Sequence, residues 1–308
     1  MQTEYFEIKS QDDVIWCAYD YEKENIDAPL VVIAPGYEKT ARESLMMSLY
    51  MVQNGFRVLR FDTRNSNGLS TGDIKNFTMS SLIEDLDIVL NYAKKNMSSG
   101  HGISLIALSL SCRALLKYLS MNNKNKDILD LVITIVGVVD LEYTFEQILN
   151  ENYVKDYLKG ERFGTRKLLT YDINWDSFLE DANSLGMLDY EMIKEEAKNI
   201  SQSNFFAILA GNDEWNDIER QMEINTYIGS GQVEQFVIEH ASHQIWKNPK
   251  CAEISMKKCV CVLKKYLYDE EVSMDKVNKP DITLVISENR KEREIIRTWK
   301  ERRNETCS

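Results

Sequence analysis

Histidine is scarce in this chain: there are three, His101, His240 and His243, and the six cysteines form no C-x-x-C pair. That argues against a zinc site. The scattered Cys17, Cys112, Cys251, Cys259, Cys261 and Cys307 suggest no disulfide framework either. Reduced, mostly buried thiols are expected, with no metal and no other cofactor. Long apolar runs are missing too. The run from Leu131 to Val139 spans nine residues, where a bilayer-spanning helix needs roughly twenty. The N-terminal Met-Gln-Thr-Glu-Tyr-Phe-Glu lacks the charged and apolar regions of a signal peptide, so a cytoplasmic location is expected. An excess of positive charge is also absent. At a net charge of −12 the chain suits neither nucleic acid nor an anionic membrane as a general partner.

What remains is a soluble-type composition over 308 residues, enough to bury a sizeable core. Thr3 to Ile8 and Val14 to Tyr21 are β-rich runs around Ser10-Gln-Asp-Asp13 and predict an N-terminal hairpin. Leu30 to Ala34, Phe56 to Asp62, Ile103 to Leu108, Leu131 to Val139, Phe205 to Ala210 and Gln232 to Ile238 read as further strands, most of them continuously apolar. Amphipathic helices fall between them: Ala41 to Asn54 ending at Gly55, one starting near Thr78 or Ser80, one after Ser109, one around Asp217 to Ile228, and a long one from Ala252 to Tyr268. This alternation predicts an α/β fold with a mostly parallel, doubly wound sheet. It breaks over about 141–200, which reads as a mostly helical cap insertion without a buried strand, and residues 269–308 form a charged extension with a surface helix over Arg290 to Arg303. There are no internal repeats and no convincing linker, so one domain is expected.

The strand Ile103 to Leu108 runs straight into Ser109, and a helical pattern begins at once. Such a turn is the nucleophile elbow of α/β-hydrolases, usually G-x-S-x-G because the backbone packs tightly around the serine. Here Ala107 and Ser111 take the glycine positions. The plain alternative is a strand followed by a helix with a serine cap. A serine nucleophile needs a histidine base and an acid to orient it, in the chain order Ser, Asp, His for this fold. Asp213, after the strand Phe205 to Ala210, and His243, after the next strand, stand where site residues project. His240 is the rival base, and Glu214, Asp217 and Asp140 are rival acids. His101 precedes the elbow strand, at the opposite edge of the sheet, and Cys112 lies inside the helix after the elbow. The backbone N–H groups of Leu110 and Tyr37 are the expected oxyanion donors, with Gly36 letting the loop pass close. Ser66, Gly68, Ser70 and Gly72 lack the lysine and spacing of a phosphate loop and are read as a loop beside the pocket.

The chain resembles the acyl transferases (acyl-carrier-protein thioesterases) of the bacterial bioluminescence, or lux, fatty acid reductase complex. The resemblance rests on the modified elbow Ala107-Leu-Ser-Leu-Ser-Cys-Arg113, Asn54-Gly-Phe, Arg60-Phe-Asp, Gly68-Leu-Ser-Thr-Gly with Phe77-Thr-Met, Val136-Gly-Val-Val, Asn212-Asp-Glu-Trp215, Ser242-His243 and Lys279-Pro-Asp281. It implies an α/β-hydrolase fold with Ser109 as nucleophile, Asp213 as acid and His243 as base. It further implies transfer of a fatty acyl group from acyl carrier protein (ACP) or coenzyme A through an acyl-serine, with release of fatty acid for reduction to aldehyde. Acyl-protein synthetase and reductase subunits are the implied protein partners. The chain departs from that family at Glu38-Lys39-Thr40, where relatives are basic, and at Asn65-Ser66-Asn67, where they carry histidines. A general carboxylesterase, a thioesterase of another biosynthetic cluster and a non-enzymatic relative that binds ACP or the reductase are the alternatives. In the cap, Tyr153, Tyr157, Leu158, Phe163, Leu168 and Leu169 offer either the lining of an acyl tunnel or, as most helical apolar stripes do, plain core. Lys155, Lys159, Arg162, Arg166 and Lys167 offer either a local basic patch for an acidic carrier or a solvated face.

Overall fold

The structure, a computed structural model, describes residues 1–98, 100, 102–121, 128–202, 204–231 and 233–306. β1 (Gln2–Ser10) and β2 (Asp13–Tyr21) form the N-terminal hairpin, and β2 continues antiparallel onto β4 (Arg57–Phe61). From there β3 (Leu30–Ala34), β5 (Ile103–Leu108), β6 (Leu129–Ile135), β9 (Phe205–Ala210) and β10 (Glu234–Ile238) are all parallel. The eight strands lie in the order β1-β2-β4-β3-β5-β6-β9-β10.

The apolar strands follow from burial on both faces. Along β3, Leu30, Val32 and Ala34 enter one core while Val31 and Ile33 enter the other. The first core is closed by α2 (Met79–Asn96) and α3 (Leu110–Met121), the second by α1 (Leu45–Gln53) and α9 (Pro249–Tyr268). Thr78 caps α2, its hydroxyl accepting the Ser81 N–H at 3.2 Å.

Between β6 and β9 lie α4 (Leu141–Leu149), α5 (Tyr153–Leu158), α6 (Trp175–Ser184) and α7 (Tyr190–Lys198). The helical reading of 141–200 misses one element. β7 (Thr165–Leu168) and β8 (Tyr171–Asn174) pair as a short antiparallel hairpin, with Leu168 and Ile173 buried. Its two-residue turn is Leu169-Thr170, with Leu169 at φ 55°. Such turns normally announce themselves with asparagine or glycine, and this one does not. After α8 (Ile218–Tyr227), β10 and α9, the chain ends in α10 (Ile282–Thr306), which starts eight residues before the expected helix. It is docked rather than a free surface helix: Glu292 is 1% exposed, and Trp299 sets its edge on Trp16.

Candidate active site

The elbow is where β5 meets α3. Ser109 sits at φ 51°, a left-handed conformation that non-glycine residues adopt only under constraint. Ala107 and Ser111 are both fully buried, so large side chains are excluded on either side. Ser111 does more than stay small. Its hydroxyl donates to the carbonyl of Pro35 and ties the elbow to the loop after β3. In that loop a Cβ on Gly36 would lie 3.2 Å from the Ser109 Cβ and 3.4 Å from the Leu108 carbonyl oxygen, so the close approach calls for glycine.

His243 and Asp213 stand on loops that leave the parallel ends of β10 and β9. Ser109 Oγ is 2.7 Å from His243 Nε2, and His243 Nδ1 is 3.0 Å from each oxygen of Asp213. The imidazole is 4% exposed and the Asp213 side chain 1%. Asp213 Oδ1 accepts the backbone N–H groups of Trp215 and Asn216 at 2.9 Å each. The Trp215 ring lies against the imidazole, 4.6 Å between centroids. With Nδ1–H donated to the carboxylate, Nε2 is free to accept the serine proton, the arrangement a nucleophilic serine needs.

The remaining residues singled out from the sequence fall elsewhere or in supporting positions. His240 is exposed on the turn after β10, and His101 lies outside the described residues. Glu214 accepts the His243 backbone N–H at 2.9 Å, so it holds the base's main chain and not its ring. Asp217 caps α8. Asp140 caps α4 and pairs with Arg220. The Cys112 thiol is buried, and burial pushes its pKa up, away from a nucleophile's range. The Ser66–Gly72 loop is wrapped around Asp62, whose oxygens accept the Leu69 and Ala41 N–H groups at 2.6 and 2.7 Å. A carboxylate already occupies the concavity where a phosphate would have to sit. Asn216 is absent from the residues that sequence reasoning points to. An asparagine three residues past the acid looks like any polar turn residue, and only the fold shows its amide 3.1 Å from Asp213 Oδ2.

Above the serine opens a cavity of about 440 Å³. Leu110 and Tyr37 line it, and neither backbone N–H has an acceptor among the described residues, so both are available to a developing oxyanion. The wall comes from the buried Val136, Val138, Phe145 and Leu168 and the half-buried Ile148 and Leu169; Trp246, Lys39, Lys247 and Thr170 stand at the exposed mouth. Of the six cap residues read as either tunnel lining or core, only Leu168 and Leu169 line the cavity. Tyr153 and Phe163 stack on each other at 4.1 Å, Tyr157 carries Arg162 on its face, and Leu158 is exposed. Phe145 and Ile148 of α4, the helix that follows β6, take their place. Among the described residues no cluster of three or more His, Cys, Asp or Glu could hold a metal ion.

The chain is similar to known proteins in sequence and in fold. The chain is 30% identical over 232 residues to an acyl transferase of Photobacterium phosphoreum, covering 71% of this chain and 69% of the relative. It is 28% identical over 284 residues to one of Aliivibrio fischeri, covering 86% and 85%. Among solved structures it is similar to Est1E from Butyrivibrio proteoclasticus with bound ferulic acid, at 13% identity and a TM-score of 0.67 over 86% of this chain and 98% of that one. It is also similar to the thioesterase domain from the curacin biosynthetic pathway, at 12% identity and a TM-score of 0.56 over 83% and 99%. The fold is that of the α/β-hydrolases, and the family and its curated relatives support acyl transfer. Residues 6–304 match the family described as acyl transferase, and the chain belongs to that family.

Proposed function

We propose that the protein is a serine acyltransferase/thioesterase that takes a fatty acyl group from acyl-ACP or acyl-coenzyme A, with Ser109, His243 and Asp213 as its catalytic triad. The observation that carries this reading is the 2.7 Å contact between Ser109 Oγ and His243 Nε2 at the foot of a largely apolar cavity. In the first step Ser109 Oγ attacks the thioester carbonyl carbon and its proton passes to His243 Nε2. The oxyanion is held by the N–H groups of Leu110 and Tyr37. As the C–S bond breaks, His243 returns the proton to the sulfur, and the thiol leaves an acyl-serine behind. A water or acceptor nucleophile, deprotonated by His243, then releases the acyl group as fatty acid or acyl product. Asp213 keeps the imidazole in the required tautomer and stabilises the imidazolium.

The family resemblance supports an enzyme that supplies a fatty acid reductase for aldehyde synthesis, with acyl-protein synthetase and reductase subunits as partners, and the N-terminal sequence supports a cytoplasmic location. No helix among the described residues is long and apolar enough to cross a membrane. The test is mass spectrometry of the intact protein after incubation with mixed medium- and long-chain acyl thioesters. Wild type is expected to gain one acyl group on Ser109, and Ser109→Ala none, with turnover lower by on the order of 10⁴-fold or more. A wild-type protein that stays unacylated with every thioester overturns the proposal. Faster turnover of matched oxygen esters than thioesters would instead favour a carboxylesterase.

A further inference from the structure

Segments far apart in the chain meet at the side-chain amide of Asn216, which is 5% exposed. Its Oδ1 accepts the hydroxyl of Thr144, on α4, at 2.9 Å. Its Nδ2 donates to Asp213 Oδ2 at 3.1 Å and to the Val136 carbonyl at 3.4 Å, and lies 2.9 Å from His243 Nδ1. Turned over, the amide would set its oxygen against the Asp213 carboxylate and the Val136 carbonyl, acceptors facing an acceptor. In the orientation seen, the hydroxyl, the carboxylate and the carbonyl each meet a complementary group. The two Nδ2 hydrogens are directed at Asp213 and Val136, and His243 Nδ1 has Asp213 as its acceptor. That nitrogen keeps its own proton for Asp213.

The backbone around the amide points the same way. Val136, directly after β6, has φ 46°, where a β-branched residue is an outlier. Its N–H donates to the Ile208 carbonyl at 2.9 Å while its own carbonyl faces Asn216; two residues on, the Val138 N–H donates to the Ser109 carbonyl at 3.1 Å. A strained turn held at a reacting centre is where strain commonly has a use.

We propose that Asn216 is a positioning residue for the acid–base pair: its amide holds the Asp213 carboxylate against His243 and fixes the tautomer in which Nε2 accepts the Ser109 proton. Thr144, which lines the acyl cavity, sets the amide's orientation and so links the cavity wall to the pair. The inference rests on the acyl-serine reading above. Apart from Asp213, the carboxylate on His243 is Glu214, which takes the backbone N–H and stays in place in every variant below.

The test compares full-length Asn216→Leu, Asn216→Asp and Thr144→Val with wild type. kcat and KM are measured on one acyl thioester from about pH 5 to about pH 9, with fluorophosphonate labelling of wild-type Ser109 as the control. Asn216→Leu is expected to lower kcat about 10- to 100-fold with KM unchanged. It should move the acid limb of kcat/KM to lower pH, because a loosened Asp213 supports the imidazolium less. Asn216→Asp places a second carboxylate beside Nδ1 and should move that limb up by about one unit. Thr144→Val should follow Asn216→Leu in direction with a smaller effect. A purely structural residue would not move the limb in opposite senses. Folded Asn216 variants whose acid limbs superimpose on wild type, or whose loss lies wholly in KM, overturn the proposal; if Asn216→Leu does not fold, the other two variants decide the question by the same criterion. Wild type that resists the fluorophosphonate fails the acyl-serine reading itself, whereas labelling with unmoved limbs fails only the role of Asn216.

Discussion

Ser109 is held at φ 51° by its neighbours, not by any preference of its own. A left-handed residue of this type costs roughly 1–2 kcal/mol, and the hydrogen bonds from Ser109 N–H to Ile135 and from Val138 N–H to Ser109 keep it there. The missing glycines of the usual elbow have a local explanation. Ala107 is small enough, and Ser111 uses its hydroxyl to hold the Pro35–Gly36 loop that brings Tyr37 over the site. The glycine with little room for a side chain is on the other side of the contact. Gly36→Ala would set a Cβ 3.2 Å from that of Ser109. The loop would have to shift by a few tenths of an ångström, and the Tyr37 N–H would move with it. Steady-state kinetics on an acyl thioester should show kcat lower by about 10²- to 10³-fold, the loss of one oxyanion donor, with thermal stability little changed. Unaltered kcat would remove Tyr37 from the oxyanion role.

The elements of the cap show how far a pattern carries. The helical spacing of 141–200 predicts its helices, and α4, α5, α6 and α7 are present. The sequence does not predict which helix faces the serine, because an apolar stripe looks the same whether it meets a cavity or a core. Phe145 lines the cavity and is backed edge-on by Trp175 and Phe178 at 5.2 and 5.4 Å, while the Tyr153–Phe163 stack serves the cap's own packing. The basic residues belong to this scale too. Lys155, Lys159 and Arg162 are exposed; Lys159 pairs with Asp156 at 2.9 Å, and Arg162 lies over the Tyr157 ring at 4.5 Å. Surface pairs of this kind contribute little stability, so the charges are free to serve docking. Reversing all three to glutamate is expected to raise KM for acyl-ACP about tenfold or more and leave KM for a small acyl thioester unchanged. Equal effects on both substrates would retire docking at this patch.

At the scale of the whole molecule, the C-terminal helix closes a network that starts at the N-terminal hairpin. Asp20 of β2 accepts Arg60 Nε of β4 at 2.6 Å, and Arg60 Nη1 reaches Glu292 of α10 at 2.9 Å, all three side chains being buried. Without Glu292, Arg60 would keep Asp20, but its Nη1 would lose a buried charged acceptor. Glu292→Ala should therefore lower unfolding free energy by about 1–3 kcal/mol in urea titration. A loss below about 1 kcal/mol would mean that α10 is a dispensable appendage. Arg60-Phe-Asp62 is thus structural at both ends: Arg60 anchors the tail, and Asp62 gathers the loop beside the site.

The sequence by itself determined the sheet, because strands buried on both faces must be apolar throughout and helices buried on one face must be periodic. It also placed Ser109, Asp213 and His243 after three strands of one parallel sheet, whose carboxyl ends share an edge. Tertiary structure alone decided what depends on distances between segments remote in the chain. The β7–β8 hairpin, with a turn that lacks asparagine and glycine, is stable only where Leu168 and Ile173 find the cap core. Asn216 resembles any loop asparagine until β6, α4 and the acid turn converge on its amide. The charged tail reads as solvated surface until Arg60 and Trp16 are seen beneath it. Local composition carries burial and periodicity; it does not carry which polar atom will meet which.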